Sequence, residues 1–524
     1  MRSTFMGLEA SKRGLFTQQS ALYTTGHNIS NANTEGYTRQ RVNMETTPGF
    51  PGTGLNSPTT AGHIGTGVQA HSVQRMRDEF VDRQFRQETN KLGYWQSTTK
   101  SISQMEDVMS EPSEFGINQA FTEFWKSMED VVTNPKDTAA RQVMISKGQS
   151  LAESFNYMDT QLKLIQGNIG NEINVITGEA NSLLKQIANL NKQIQAVEPN
   201  GYMPNDLYDT RDVLLDKLNE IMPVSVSYEK SGGNSLAIAE GSMTVTFKKA
   251  GSTDEITLVQ GKDYAALSTD NTSGGPITGD VDGTTGKFLE FSKINISGLS
   301  SDHEKNPPAA PGTPVAYSDL ESSKGKLVAL IDAFGHSGGK GLYPEMLSQL
   351  DLLASEIVRV FNAAHQQGFD LKGTAGKPFF DEAGTTAADI KVQITKPEEI
   401  AASDAPNEEG NNKNILAIAA LQTEVVKDAG NTATLQGGTF QSFYKSLIGD
   451  LGVKGKQAVM EEYNSGTLNL QIEKNRASFN SVSLDEEMTN MITFQQAYNA
   501  NARMITVIDE TLDKIINGMG RVGL

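Results

Sequence analysis

Both ends of the chain carry apolar residues at a strict spacing of seven. The N-terminal repeat consists of Met1, Leu8, Leu15, Leu22 and Ile29. The C-terminal repeat consists of Leu484, Met491, Tyr498, Ile505, Leu512 and Met519. A seven-residue repeat keeps an apolar stripe on one side of a helix and favours a left-handed coiled coil. Each end is therefore predicted to be an amphipathic helix, and the first should end within 28–33, where Asn, Ser and Thr cluster.

A second column of positions on each terminal helix is only half apolar. At the N-terminus it holds Phe5, Lys12, Gln19 and Gly26, and at the C-terminus Met488, Gln495, Ala502, Asp509 and Ile516. The charges of the two ends are complementary, with five basic and two acidic residues in 1–41 and three basic and six acidic residues in 481–524. We expect the ends to attract each other, in parallel or antiparallel orientation, and to need further neighbours. Docking of each helix on the protein's own core is the alternative.

The interior of the chain is predicted to be a helical rod. Apolar residues recur at steps of three or four from Leu162 to Val197, inside a stretch that runs from near Thr138 without a proline until Pro199. A periodic pattern of this length indicates a bundle or coiled coil rather than an ordinary globular helix. Helices around 80–109 and downstream of Leu320 are the expected neighbours, and 440–451 and 454–480 also have helical spacing.

Alternating apolar and polar residues begin after Pro223, as in Val224 to Tyr228 and Met243 to Phe247, and predict a small β domain. A shorter alternation at 390–394 is compatible with a second β insertion. The predicted fold class is multidomain and mainly α, an elongated helical rod with terminal coiled-coil helices and an inserted small β domain. The predicted domains are 1–75 plus 476–524 for terminal assembly, 76–230 plus 321–475 for the rod (with a possible β insertion near 381–415), and 231–320 for the β domain.

Composition limits the possible functions. The formal net charge of −18 argues against nucleic acid or an anionic membrane as a partner, since both require a basic surface. Without cysteine there are no disulfides, thiolate metal sites or cysteine nucleophiles. No apolar run is long enough to span a membrane, and no secretory signal peptide is visible after Met1.

The sequence contains no convincing motif for a catalytic or metal-binding site. The segment 335–339 satisfies the G-x-S-x-G pattern around Ser337, with Asp351 and His365 in the order of a hydrolase triad. A nucleophile elbow needs a strand before it and a helix after it, whereas the flanks here predict a loop between two helices. The six histidines show no i, i+4 pair, which makes a zinc site improbable. We expect no enzyme activity, no cofactor and no metal; a hydrolase insert is the enzymatic alternative.

The segments beside the two heptad repeats resemble a known family. The N-terminal motif includes His27, Asn28, Ile29, Ser30, Asn31, Ala32, Asn33, Thr34, Glu35, Gly36 and Tyr37. The C-terminal motif includes Leu484 to Met488 and Phe494 to Arg503. Both resemble the terminal motifs of bacterial flagellar axial proteins, the rod, hook and hook-associated group. Interior segments at 189–194, 204–212, 350–371 and 378–380 resemble the hook-associated members that join hook and filament.

This resemblance implies a structural adapter that forms a ring at the hook–filament junction. The implied partners are copies of the chain itself, the hook protein, hook-associated protein 3 and an export chaperone at the C-terminal region. The implied location is the extracellular flagellum, reached through type III export without a cleaved signal peptide. Another axial protein, such as the hook or distal rod protein, is the alternative. The assembly interface is assigned to Leu8, Leu15, Leu22, Ile29, Asn31, Asn33, Gly36, Tyr37, Leu484, Met488, Met491, Tyr498, Ala502, Ile505 and Leu512.

Overall fold

The computed structural model describes residues 4–50, 64–109, 116–250, 254–277, 279, 281, 286–303, 305, 312–320, 323–427 and 432–518. Its α-helices are α1 (Thr4–Ser30), α2 (Glu79–Met109), α3 (Ile117–Thr133), α4 (Thr138–Val197), α5 (Asn205–Ile221), α6 (Lys326–Phe334), α7 (Leu342–His365), α8 (Lys413–Ala420), α9 (Phe440–Asn480) and α10 (Leu484–Gly518). Its strands are β1 (Gln40–Thr46), β2 (Gly49–Phe50), β3 (Ile64–Gly65), β4 (Val68–Arg75), β5 (Ser225–Glu229), β6 (Ser242–Lys248), β7 (Glu255–Gln260), β8 (Asp263–Tyr264), β9 (Leu267–Asn271), β10 (Phe291–Ile296) and β11 (Thr313–Ala316).

The central helix α4 organises the rod. It has 60 residues, so it is about 90 Å long at 1.5 Å per residue. The carboxylate of Asp137 caps its first turn by accepting from the backbone N–H of Ala139. Most of the apolar column predicted within it is buried, against α3, α5, α6 and α7. The predicted mainly helical rod is confirmed.

Helix α9 is one continuous helix where two were expected. It runs from Phe440 to Asn480 and packs along α2. Gly455 permits close packing, since a Cβ there would lie 2.6 Å from a carboxylate oxygen of Glu106 and 3.2 Å from Ile102. Tertiary contact with α2 therefore offsets the low helix propensity of the glycines around 449–455.

The β domain consists of two small sheets that pack on α4. Their strand orders are β5-β6-β7-β8 and β11-β10-β9, with antiparallel pairing throughout. The alternating residues at 390–394 form no strand. Val392 makes an isolated antiparallel β-bridge with Phe380, and the N–H groups of Gln393 and Ile394 both point to the carbonyl of Phe379, so the pairing does not extend into a regular ladder. The segment 381–415 contains no strand, in contrast to the β insertion considered for it.

The sequence analysis did not anticipate the hairpin of β1 and β4, which lies between α1 and α2 in the chain. The two strands are antiparallel, from Gln40 opposite Arg75 to Thr46 opposite Val68. Helix α1 packs on both strands as well as on α10. The terminal unit therefore has three parts: α1, α10 and this hairpin.

Candidate assembly interface

The two terminal helices form an antiparallel pair through a seam of small residues. The register along the seam is Gly7 opposite Ile508, Gly14 opposite Asn501 and Asn28 opposite Glu487. A Cβ on Gly14 would lie 2.8 Å from Oδ1 of Asn501, and one on Gly7 would lie 3.4 Å from Ile508. Ala21, which is buried, occupies the same seven-residue column. Small side chains let the two helix axes approach closely.

The predicted interface residues lie beside this seam rather than in it. Those that are half-buried are Leu8, Leu15, Leu22, Ile29, Asn31, Tyr37, Met491, Tyr498, Ala502, Ile505 and Leu512. Those that are exposed are Asn33, Gly36, Leu484 and Met488. The heptad positions Met1 and Met519 lie outside the described residues. The heptad pattern of large apolar residues does not reveal the seam, although Gly7, Gly14 and Ala21 also recur every seven residues.

Much apolar surface of the terminal pair faces away from the rest of the subunit. On α1 the side chains of Phe5 and Tyr23 are 63% and 80% exposed. On α10 the exposed apolar residues include Ile492, Met504 and Val507. Two helices cannot enclose apolar residues that are spread around more than one face of each helix. The pair therefore presents apolar surface that further helices could cover.

Asn28 joins the end of α1 to the rest of the terminal unit. Its amide N–H groups donate to the carbonyl of Gln40 at 2.8 Å and to Oε2 of Glu487 at 3.0 Å. Its Oδ1 accepts from the N–H of Gln40 at 3.0 Å and from the hydroxyl of Tyr37 at 2.8 Å. The side chain is 1% exposed, so these hydrogen bonds are shielded from solvent. One amide thereby fixes α1, the start of β1 and the first turn of α10.

Glu487 and Arg39 complete this connection. The Glu487 side chain is buried, and the Arg39 guanidinium donates to its Oε1 at 2.8 Å. Arg39 also donates to Glu486 at 2.7 Å. Both carboxylates belong to the first turn of α10, where negative charge interacts favourably with the helix dipole. The complementary charges of the two ends meet here.

The turn after α1 contains the remaining motif residues. Asn31 donates to the carbonyl of His27 at 3.0 Å and closes the helix end. Burial, reinforced by the negative charge of Asp206, raises the pKa of Tyr37. Gly36 has φ of +76°, and a Cβ there would lie 2.1 Å from Val213 Cγ2 on α5. Glycine is required at this position both by the backbone conformation and by the contact with α5.

A buried cluster of arginines and carboxylates connects the terminal unit to the rod. Its ion pairs are Arg75 with Asp209, Asp212 and Glu240; Arg77 with Asp82 and Asp212; Arg86 with Asp212 and Asp216; Arg211 with Glu240; and Arg476 with Asp82 and Asp216. These residues come from β4, the segment between β4 and α2, α2, α5, α9 and the loop before β6. Burial lowers the pKa of Arg77, and the neighbouring Arg75 lowers it further.

This arginine cluster joins the terminal unit to the rod through buried ion pairs. Asp212 contacts three guanidinium groups, so loss of its charge would leave buried cations without compensation, which is strongly destabilising. The segment that carries Asp209 and Asp212 was noted in the sequence as a family motif, but its ionic partners were not identified. They are far apart in the chain, and sequence spacing gave no signal for them.

The hydrolase-like pattern has a different structural role. Residues 335–341 form the loop between α6 and α7, in which Ser337 is exposed. Asp351 and His365 lie about 21 Å apart along α7. His365 is fully buried; its Nδ1 donates to the carbonyl of Lys377 at 2.6 Å, and its Nε2 accepts from Ala401 N–H at 2.9 Å. Burial lowers the pKa of His365 to about 4.

The described residues offer neither a metal site nor a membrane-spanning helix. Within them, no group of three or more His, Asp or Glu side chains is arranged to hold a metal ion. None of their helices is both long and apolar enough to cross a membrane.

Comparisons with protein families give three matches along the chain. The family described as "Flagellar hook-associated protein FlgK helical domain" matches residues 102–380. The family "Flagella basal body rod protein" matches 8–38, and "Flagellar basal body rod FlgEFG protein C-terminal" matches 480–518. The two terminal matches coincide with the paired helices, and the central match covers most of the rod and the β domain.

Individual relatives agree with these family matches. The chain is 40% identical to flagellar hook-associated protein 1 of Bacillus subtilis, with 99% of each chain covered. It is 27% identical to the proteins of the same name from Salmonella typhimurium and Escherichia coli, covering 96% of this chain and 98% of each relative. The solved structure of the flagellar hook junction protein FlgK from Burkholderia pseudomallei is similar in fold, with a TM-score of 0.61 at 14% identity, covering 76% of this chain and all of that one.

Proposed function

Since the chain belongs to the flagellar hook-associated protein 1 family, we propose that it is the structural adapter subunit that forms a ring at the junction of hook and filament. The resemblance found in the terminal motifs is confirmed, and the protein is an axial component of the bacterial flagellum. The observation that carries the finer proposal is the terminal helix pair: hydrogen bonds and ion pairs join it to the rest of the subunit, yet it leaves apolar faces uncovered.

The ring forms when terminal helix pairs of neighbouring subunits cover these faces. Half-buried residues such as Leu15, Tyr498 and Ile505 then become fully buried, and removal of apolar surface from water drives the association. The exposed polar residues Lys12 and Gln495 allow water or polar neighbours between the helices. The proposed packing is therefore a layer of several coiled-coil helices rather than an isolated two-helix zipper.

The proposed partners follow from this position in the axis. Copies of the chain lie beside each other in the ring, the hook protein lies below it and hook-associated protein 3 lies above it. A cytosolic chaperone binds the C-terminal region before type III export, and the exported protein resides in the extracellular flagellum without a cleaved signal peptide. The role is structural: the exposed apolar faces of α1 and α10 serve assembly, and the chain carries out no catalysis.

The first test is electron microscopy of flagellated cells that lack this protein. We expect hooks without filaments and flagellin released into the medium, both restored by the wild-type chain. Filaments attached normally to hooks in the deletion strain would contradict the proposal.

The second test separates assembly from folding. Ile505→Asp places a charge on the half-buried side of α10, whereas Thr506→Asp places the same charge on the exposed neighbouring position. We expect Ile505→Asp to fold, to be exported and to leave hooks without filaments, while Thr506→Asp supports filaments. Equal motility and equal filament attachment for the two variants would count against coiled-coil packing as the basis of the ring.

A further inference from the structure

Helix α9 carries a second heptad stripe that its own subunit does not cover. Its packed face, which lies on α2, includes Gly455, Ala458, Ser465, Asn469 and Ile472. Its exposed face has alternating steps of three and four in Val453, Lys456, Met460, Tyr463, Thr467, Leu470 and Lys474. Tyr463 is 74% exposed and Val453 is 68% exposed. This spacing is typical of a helix that packs on another helix, and we call these seven residues the α9 stripe.

A groove lined by α2, α4 and the first half of α3 is a candidate surface for this stripe. It has a volume of about 1030 Å³ and is lined along α4 from Lys147 to Asn168. Val108 and Ile165 are half-buried apolar residues of its lining, and Tyr157, which also lines it, is 59% exposed. Leu164, seven residues after Tyr157, is also exposed beside it. We call this surface the α2–α4 groove.

The α9 stripe and the α2–α4 groove have similar lengths. From Val453 to Lys474 the stripe extends over about 32 Å, and from Lys147 to Asn168 the groove extends over about 32 Å along α4, at 1.5 Å per helical residue. The two surfaces are therefore compatible in length.

Their charges are complementary as well. Among the described residues that line the groove are the carboxylates of Asp107, Glu123 and Glu153 and one ammonium group, that of Lys147, which pairs with Glu123 at 2.6 Å. The stripe contains two lysines and no acidic residue. In a chain with a net charge of −18, a basic helix face beside an acidic groove favours attraction between these two surfaces over other contacts.

The two surfaces lie on different sides of α2. Ile102 and Glu106 of α2 face α9, whereas Gln104 and Val108 line the groove. Positions two residues apart on a helix point in nearly opposite directions. One subunit can therefore use its stripe toward one neighbour and its groove toward the other, which is a head-to-tail contact of the kind that closes identical subunits into a ring.

We infer that the α9 stripe of one subunit docks into the α2–α4 groove of the next copy of the same chain. This contact would link neighbouring rods in the ring, outside the layer of terminal helices. The inference rests on the proposed ring, because it identifies which surfaces of adjacent subunits meet there.

The absence of natural cysteine makes paired cysteine cross-linking a direct test. Tyr157→Cys or Leu164→Cys in the groove is combined with Met460→Cys or Tyr463→Cys in the stripe, giving four double variants that span both helix directions. Each is expressed in cells lacking the natural protein, and their isolated flagella are treated with a short bis-maleimide. We expect at least one double variant to give a ladder of covalent multimers larger than the dimer, and each single variant to remain monomeric.

A matched control replaces the stripe cysteine by Leu468→Cys. Leu468 is exposed on the same helix but on a different face, so its combination with Tyr157→Cys should give monomers. Four monomeric double variants in flagella that still carry filaments would overturn the stripe–groove contact while leaving the proposed function intact. Dimers without larger products, or products with the mass of a different axial protein, would also overturn it. Normal filaments in the deletion strain would instead refute the proposed function.

Discussion

Asn28 gives the sharpest prediction about how the terminal helices are held. In Asn28→Ala the buried backbone N–H and C=O of Gln40 lose their amide partner, and Glu487 loses one of its donors. A buried polar group left without a partner costs about 1–3 kcal/mol. Several groups are affected at once, so the connection between α1, β1 and α10 should be weakened by roughly 3–5 kcal/mol.

Hydrogen exchange measured by mass spectrometry on the purified full-length chain reports this loss locally. A weakening of about 3 kcal/mol corresponds to roughly 100-fold faster exchange where exchange follows local opening. We expect that acceleration in peptides that contain 38–46 and 484–490, and little change in α4. A global unfolding midpoint would not assign the loss to this connection, since it averages over the domains of the chain.

Two comparisons make the result decisive. Asn33 is an exposed asparagine of the same motif, so Asn33→Ala should exchange like wild type. Asn28→Asp should be as damaging as Asn28→Ala, since it sets a second carboxylate beside Glu487, and adding Glu487→Gln to it should restore part of the protection. If Asn28→Ala and Asn33→Ala exchange alike, the reasoning about this amide is refuted.

Three further predictions concern the turn, the arginine cluster and the buried histidine. Gly36→Ala should accelerate hydrogen exchange in the turn after α1. Adding Val213→Ala should remove the steric clash but leave the left-handed backbone penalty of about 1–2 kcal/mol. If the double variant recovers no protection from exchange, this account is contradicted. Asp212→Asn should lower the free energy of unfolding in urea by about 3–5 kcal/mol, because three buried guanidinium groups lose a carboxylate. The exposed control Glu35→Gln should not lower it. Equal urea midpoints for the two variants would argue against a stabilising cluster. His365 has a folded-state pKa of about 4, below its usual value of about 6.5. Its contribution to the stability of the folded protein is therefore fully present above pH 6.5 and is lost as pH falls toward 4. The loss of folding stability should reach about 2 kcal/mol at pH 5. His365→Gln should lack that component when urea midpoints are compared at pH 7 and pH 5, and an identical pH dependence for the two proteins would refute the assignment.

Local patterns predicted the long elements well. The absence of proline between Pro135 and Pro199 and the unbroken three-and-four spacing identified α4 almost to its ends. Period-two alternation around Val245 and Val226 identified strands that do pair with each other. These signals are properties of contiguous residues, and burial of one face is enough to produce them. The alternation at 390–394 corresponds to an isolated β-bridge between Val392 and Phe380 rather than a strand, because alternating burial of extended residues needs no continuous partner strand.

The candidate interface was predicted less completely. The apolar heptads predicted two helices that do pair with each other, but their closest contact is made by small residues such as Gly14 and Ala21, which a pattern of large apolar side chains does not include. The antiparallel direction was also left open by the sequence, since both orientations satisfy the charges and the spacing. The contact of Gly14 with Asn501 decided it.

The sequence by itself determined that this protein has amphipathic helices at both ends, a helical rod between them and terminal motifs of the flagellar axial family. Those features follow from spacing and residue identity within short segments. Only the tertiary structure decided how the ends are joined to the rod. Asn28 with Glu487, and Asp212 with its three arginines, depend on residues that are distant in the chain, and no local periodicity encodes which buried charges will meet.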